Sequence, residues 1–251
     1  MPSLLNGMRA LVTGAGRGVG PVIALRLAEE GAAVALAYRS SRDGADATAR
    51  RIAEFGGKAV VLSADLRDRA QSDALVASTV AELGGLEIVV NNAAGFGPAK
   101  RLEDSDWSDL DEEWQAVVKP VFTVTRAALP ILTAQGHGKI VNLSATLLQR
   151  PAPTYGAHAM AKAAVLAFTR TLAREVGPRG VTVNAVSPGM TLTEYSQSLP
   201  EEERAAVRDR TPLRRLAEPE DVANAVLYFC SPLADFVTGA NLAPDGGLAI
   251  L

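Results

Sequence analysis

Seven short runs of aliphatic and β-branched residues recur along the chain: RALVTG (9–14), AAVALAY (32–38), KAVVLSAD (58–65), LEIVVNN (86–92), GKIVNLS (138–144), VTVNAVSPG (181–189) and ANLAPDGG (240–247). Most are apolar throughout rather than alternating, as expected of strands covered on both faces. The spans between them carry helical period. VGPVIALRLAEEG places Val19, Ile23 and Leu27 on one stripe and ends at Gly31, and DALVASTVAELGG repeats the design. Strand alternating with helix predicts an α/β chain: one doubly wound Rossmann fold over residues 1–251, with a parallel sheet of about seven strands and helices on both faces. No internal repeat, low-complexity tract or linker interrupts the pattern.

Composition narrows the class without changing it. The 251 residues are 48% hydrophobic and 21% charged, enough to bury a substantial core. A net charge of −3 gives no electrostatic case for nucleic acid or an acidic membrane surface. The lone Cys230 cannot form an internal disulfide and suits a reducing compartment. The first strand follows the start too closely for a signal peptide, and no apolar run reaches membrane-spanning length. A soluble, cytoplasmic, enzyme-sized protein is expected, with neither nucleic-acid nor membrane partners and no metal.

The first strand opens into VTGAGRGVG, with glycines at 14, 16, 18 and 20, and a helix follows. Glycines let the backbone approach a pyrophosphate, and the helix N-terminus adds unpaired N–H groups. The second strand ends in YRSSRD, where an NAD reader would carry an acid for the ribose hydroxyls. Here Tyr38 and Arg39 stand instead, and Arg17 lies in the glycine loop. Two guanidiniums can grip a 2′-phosphate, so NADP(H) is the expected cofactor. The alternative is that both arginines are solvated surface charges.

TGAGRGVG from Thr13, NNA at Asn91–Ala93, AKAAVLAFTRTLARE around Lys162, VNAVSPG at 183–189 and VTGANLAPDGG near the end together resemble the short-chain dehydrogenase/reductase superfamily across essentially the whole chain. The resemblance implies a cofactor site built from Thr13, Gly14, Gly16, Arg17, Gly18, Val19 and Gly20, from Arg39 and Ser40, and from Asp65 and Leu66 at the adenine. It adds Asn92, Ala93 and Ala94, Lys162 on the nicotinamide ribose, and Pro188, Gly189 and Thr193 beside the nicotinamide, with Asn91 supporting the central sheet. It also implies a homotetramer or homodimer packed through the 104–135 and 154–176 helices.

The catalytic positions depart from the family's standard pattern. Four residues before Lys162, where a tyrosine is usual, stands His158. Thirteen residues before that, the usual serine is Ala145, with Ser144 beside it, and the helix asparagine falls on Val117. NNAG is written NNAAG. Tyr155, however, precedes Lys162 by seven positions, a Tyr-x6-Lys spacing that resembles the enoyl-thioester reductases of the same superfamily, particularly the NADPH-dependent bacterial enoyl-acyl-carrier-protein reductases.

Geometry favours the longer spacing for alkene reduction. Seven helical residues span about 10 Å along the axis, and four about 6 Å. A carbonyl reductase delivers hydride to the carbon that bears the oxygen. An enoyl reductase delivers it to the β-carbon, and the oxygen gathering charge lies two carbons further away. Its donor should stand correspondingly further from the cofactor. A phenol remains a donor at neutral pH, whereas a histidine beside Lys162 and a cationic nicotinamide is a poorer acid. Tyr155 is therefore the expected donor and Lys162 its partner. His158 is kept as the competing catalytic residue, or as a histidine packed on the helix. Thr154 is the expected N-cap of that helix, after Pro151 and Pro153. Ala145 and Val117 are expected to make the pocket wide and apolar, suited to an acyl chain.

Residues 190–216 read as a flexible substrate flap, with PEEERAAVRDR as a short helix capped near Pro200. Arg204, Arg208, Arg210, Arg214 and Arg215 are candidates for a carrier-protein phosphopantetheine or a coenzyme A phosphate, or else a solvated face. Phe96, Tyr195 and Phe236 are candidates for the mouth. The best reading is an NADPH-dependent reductase of a 2-enoyl thioester carried on acyl carrier protein or CoA. The alternatives are a carbonyl reductase acting through His158, a non-redox cyclase or dehydratase, and a partner subunit without activity.

Overall fold

The computed structural model describes residues 3–95, 97 and 99–250. The apolar runs form parallel strands β1 (Arg9–Thr13), β2 (Ala33–Tyr38), β3 (Ala59–Ser63), β4 (Ile88–Asn91), β5 (Gly138–Leu143), β6 (Val181–Val186) and β7 (Asn241–Leu242). They lie in one sheet in the order β3-β2-β1-β4-β5-β6-β7, every neighbouring pair parallel. The chain steps outward from β1 to β3, then returns to place β4 on the other edge of β1. That reversal opens a crevice at the carboxyl ends of β1 and β4.

Helices α1 (Gly20–Glu29), α2 (Arg42–Glu54), α3 (Arg69–Leu83), α4 (Trp107–Glu113), α5 (Lys119–Ala134), α6 (Gly156–Val176), α7 (Glu194–Gln197), α8 (Glu201–Arg210) and α9 (Pro219–Cys230) complete the chain. The two-sided cover explains the unbroken apolar strands. In β1, Ala10 and Val12 join Ile23 and Leu27 of α1 and Val226 of α9 in one core. Leu11, between them, points the other way, into a core with Val124 and Leu132 of α5 and Leu172 of α6. α3 stops where Gly84, at φ 86°, turns its N–H back to the Val80 carbonyl.

The strands are shorter than the runs that mark them. Beyond β6, Pro188 and Gly189 become cleft wall, and β7 is only two residues long. Pro244 follows closely and has no N–H to extend the ladder. Contrary to the sequence expectation, one helical run, Trp107–Ala134, is long and apolar enough by length and composition to cross a bilayer. Its buried stripe, Val121, Val124, Ala128 and Leu132, packs within the protein core. Between α4 and α5 this run contains a π-helical turn, Trp114–Val118, which inserts one residue into the helical register.

A buried polar ladder ties the sheet centre to both helices behind it. Asn91 Nδ2 donates to Thr125 Oγ1 of α5 at 2.9 Å and to Asn142 Oδ1 at 2.8 Å, and Asn142 Nδ2 donates to Thr169 Oγ1 of α6 at 2.9 Å. These bonds fix α6, and with it Lys162, against the sheet.

Candidate active site

A cleft of about 1710 Å³ runs along the carboxyl edge of the sheet, from the glycine loop to the flap. At one end the glycines make a cradle that no other residue permits. A Cβ on Gly16 would lie 2.3 Å from the Ser41 carbonyl oxygen, and one on Gly20 would lie 2.1 Å from the Gly14 carbonyl oxygen. Gly14 holds φ +66°, in the left-handed region. Gly44, in the first turns of α2, is the matching piece: its Cβ would meet the Gly16 oxygen at 1.9 Å. Sequence reading missed it, because nothing local marks a helix glycine as the floor of a distant loop.

Thr13 and Gly20 do not line the cleft; they build it. Thr13 Oγ1 accepts the N–H groups of Asn92 and Ala93, each at 3.0 Å, and Asn92 Nδ2 donates to the Thr13 carbonyl at 2.9 Å. The loop after β4 is thereby fastened to the glycine loop. Of the residues expected to hold the cofactor, Gly14, Gly16, Arg17, Gly18, Val19, Arg39, Ser40, Asp65, Leu66, Asn92, Ala93, Ala94, Lys162, Pro188, Gly189 and Thr193 line the cleft. So does Arg67, which the sequence reading did not single out. Arg67 Nε donates to Asp65 Oδ1 at 2.9 Å. That bond holds the Asp65 carboxyl at about 2, burial opposing, with Arg39 adding to the depression. A narrow, glycine-built cradle with exposed guanidiniums at its outer end fits a dinucleotide.

At the other end stand the candidate catalytic residues. Lys162 is buried, and its ammonium donates to the Leu143 carbonyl at 2.8 Å. Burial pushes it down to about 8, opposed by the charge of Glu113. Tyr155 is itself the N-cap of α6, and no side chain caps that end. The expected cap, Thr154, instead sits at φ 71°, an outlying conformation for a β-branched residue. It has swung its carbonyl to accept the Lys100 N–H at 3.0 Å. Tyr155 thus leaves the last strained residue of a loop and stands on the cleft wall, its hydroxyl 3.4 Å from that of Tyr195 in α7. The bond with Tyr155, then burial, pushes the Tyr195 phenol up to about 12.

His158 lies one turn before Lys162 and also borders the cleft. Its Nδ1 is 3.0 Å from Glu113 Oε2, and both side chains are only 4% exposed. Burial pushes the Glu113 carboxyl up. The bonds from His158 and the Gly97 N–H, with the charges of His158 and Lys162, outweigh it and hold the group below its ordinary range. The sequence argument against His158 counted only positive neighbours; Glu113 supplies the missing negative one. It was overlooked because DEEWQAVV carries three acids in a row, and nothing local marks Glu113 as buried while Asp111 and Glu112 are exposed.

Other expectations change. Val117 does not face the cleft: it is buried among Val121, Ala161 and Val165, so of the two positions Ala145 alone lines it. Ser144 Oγ donates to the Lys162 carbonyl at 3.1 Å. Residues 190–216, read from the sequence as a flap, are rooted by a parallel bridge between Thr191 and Ala217. Their arginines are not a loose cationic patch: Arg204 and Arg208 pair with Glu201, Arg215 pairs with Asp221, and Arg214 donates to the Asp209 carbonyl. Arg210 borders the cleft. Pro200 is the N-cap position of α8, as expected. Tyr195 is at the mouth; Phe236 is fully exposed and is not part of the cleft wall; Phe96 lies outside the described residues.

Residues 14–249 match the family model described as enoyl-(acyl carrier protein) reductase. An uncharacterized oxidoreductase of Mycobacterium tuberculosis is 39% identical over 247 residues, covering 97% of this chain and 93% of that protein. The 3-oxoacyl-(acyl-carrier-protein) reductase FabG of Staphylococcus aureus is 34% identical over 241 residues, covering 95% and 97%. Among solved structures, a 7α-hydroxysteroid dehydrogenase complexed with NADH and 7-oxo glycochenodeoxycholic acid superposes with a TM-score of 0.93 at 31% identity, covering 98% of this chain and 96% of that one. With the seven-stranded parallel sheet, the glycine cradle and the buried lysine, these matches mean that the chain belongs to the short-chain dehydrogenase/reductase superfamily, whose members are oxidoreductases that bind a nicotinamide dinucleotide.

Proposed function

We propose that the protein is an NADPH-dependent reductase of 2-enoyl thioesters, carried on coenzyme A or acyl carrier protein. The observation that carries this reading is the Tyr155 hydroxyl on the cleft wall, paired with Tyr195, seven residues before the buried Lys162 and opposite no clamping hydroxyl at Ala145. A reduced nicotinamide, when bound, supplies a hydride. The protein's own residues manage the charge that follows. Tyr195, held protonated, donates to the Tyr155 oxygen and leaves the Tyr155 proton directed at the thioester oxygen. Lys162 holds the ribose. Arg17 and Arg39, with no acid at the ribose position, support NADPH over NADH. Residues 190–216, rooted at Thr191 and Ala217, act as the flap over the acyl chain. A buried Cys230 thiol, pushed up to about 12 by burial, suits a cytoplasmic setting. The exposed Trp107, Phe122 and Met160 on α4, α5 and α6 support assembly of copies through those helices.

A second reading has one specific observation behind it. Glu113 on the Nδ1 of His158 resembles the carboxylate that orients a catalytic imidazole. With it, His158 can serve as the acid for a 3-oxoacyl ketone, the substrate type named for the Staphylococcus aureus relative.

NADPH oxidation with crotonyl-CoA, measured against acetoacetyl-CoA and a panel of simple ketones, separates the two. We expect alkene turnover. Tyr155→Phe should lower it by about 10²–10³, the usual cost of one preorganised donor to a developing oxyanion, with NADPH affinity kept. Ketone-only turnover that survives Tyr155→Phe and is lost in His158→Ala would reverse the assignment.

A further inference from the structure

Alkene reduction by Tyr155 leaves one proton without an assigned source. Once hydride has reached the β-carbon, the enolate must take a proton at its α-carbon, and Tyr155 is committed to the oxygen. The site holds a second acid–base pair that the mechanism above does not use. Glu113 Oε2 stands 3.0 Å from His158 Nδ1, buried, and its other oxygen accepts the Gly97 N–H. A carboxylate so anchored holds the ring in one orientation and puts proton exchange on Nε2. It also offsets the charge of an imidazolium as it forms. The other titratable groups around the pair are Lys162 on the same helix and Tyr195 from α7, both of which act electrostatically on Glu113 or are acted on by it. His158 borders the cleft one helical turn from Lys162 and three residues from Tyr155, between the two groups that the reaction spans.

We infer that His158, positioned by Glu113, is the acid that protonates the α-carbon, and that the protein therefore carries a separate, cofactor-independent activity: exchange of the α-protons of saturated acyl thioesters with solvent. The inference rests on the alkene reading. In the exchange, the Cα–H bond breaks and its proton passes to His158 Nε2, while the electron pair moves onto the thioester oxygen held by Tyr155. The imidazolium trades its proton for a solvent deuteron, and the enolate collapses to take that deuteron at Cα. Nothing is oxidised or reduced. Glu113 remains a carboxylate throughout and is a positioning residue, since it reaches the substrate only through His158.

The test is proton NMR of butanoyl-coenzyme A in D2O with the wild-type protein and no nicotinamide. The expected result is loss of one of the two α-proton signals, the face being fixed by the protein. His158→Asn should lower the exchange rate by about 10²-fold or more, within the usual contribution of a general base. Glu113→Gln keeps the shape of the side chain and loses its charge. It should lower exchange at least tenfold while the Kd for NADPH, read by fluorescence at pH 6, where Lys162 keeps its proton with or without the Glu113 charge, stays at the wild-type value. A merely structural Glu113 would move both. His158→Gln serves as a second variant should the asparagine protein fail to fold. Wild-type protein that reduces crotonyl-CoA but exchanges no α-proton, or exchange that survives His158→Asn, overturns this inference and leaves the alkene reading standing. Wild-type protein that does neither overturns both.

Discussion

The contact between Gly44 and Gly16 makes a quantitative prediction about cofactor binding from a residue that touches no cofactor. A methyl at position 44 would start 1.9 Å from the Gly16 carbonyl oxygen, while ordinary Cβ contacts begin near 3.4 Å. The two segments must therefore separate by about 1.5 Å, the difference of those values. Both atoms belong to or are fixed by backbone, so no side chain can rotate away. The yielding partner is the glycine loop, because α2 is packed through Ala45, Thr48 and Ile52. A shift of that size takes an N–H···O bond from about 2.9 Å to beyond bonding distance. One lost bond to a charged phosphate costs about 1.5–3 kcal/mol, or roughly 10- to 150-fold in Kd. Gly44→Ala should weaken NADPH and NADH alike, since the loop serves the pyrophosphate common to both. Its Tm should fall by several degrees, because overpacking costs about 1–3 kcal/mol and each of these moves Tm by about 2–4 °C in a chain of this size. Gly177→Ala is the control: its Cβ enters open space at an ordinary φ. Titration of both cofactors by fluorescence, with thermal melts, decides the matter. A folded Gly44→Ala protein with wild-type Kd values would show that the loop does not need its seat on α2.

Arg39→Ala should weaken NADPH by about 10- to 100-fold, the scale of one charge-assisted bond, and leave NADH nearly unchanged. Equal loss for both would make Arg39 structural. The Lys162 ammonium, pushed down to about 8 by burial, should lose its proton above that pH, so NADPH affinity should fall through pH 8–9, and Lys162→Met should abolish that step in a titration across pH. Linkage gives stability the opposite slope. The folded state binds fewer protons than the unfolded one between about 8 and the ordinary lysine value of 10.5, so the stability contribution of Lys162 rises with pH across that window. Light scattering at micromolar concentration should report a dimer or tetramer, and Phe122→Glu, on the exposed face of α5, should shift it toward monomer. A wild-type monomer would contradict assembly through α4, α5 and α6.

The fold was legible in the residues because its determinants are local and repeated. A strand buried on both faces is apolar at most positions, so β1, β2, β4 and β6 announce themselves without any neighbour being known. The glycine loop was legible for a related reason: backbone that must approach a phosphate excludes side chains, and that exclusion is written as glycine. Lys162 and Tyr155 were singled out by the family resemblance in their spacing, and the distance argument favoured Tyr155 as the expected donor. What the tertiary structure alone decided concerns pairs brought together from separate elements. Glu113 and His158 lie 45 residues apart and meet only where α4 packs against α6. Val117, inside the π-helical turn, lies in the core and off the cleft wall. Gly44 acquires its meaning from where α2 crosses the glycine loop, and the flap arginines lose their free charge to Glu201 and Asp221 in a packing that no periodicity encodes. Hydrophobic period determines which face of an element is buried. It leaves open the rotation, offset and helix register that decide which two side chains touch, and the electrostatics of this site, with an anion behind His158, depend on that contact.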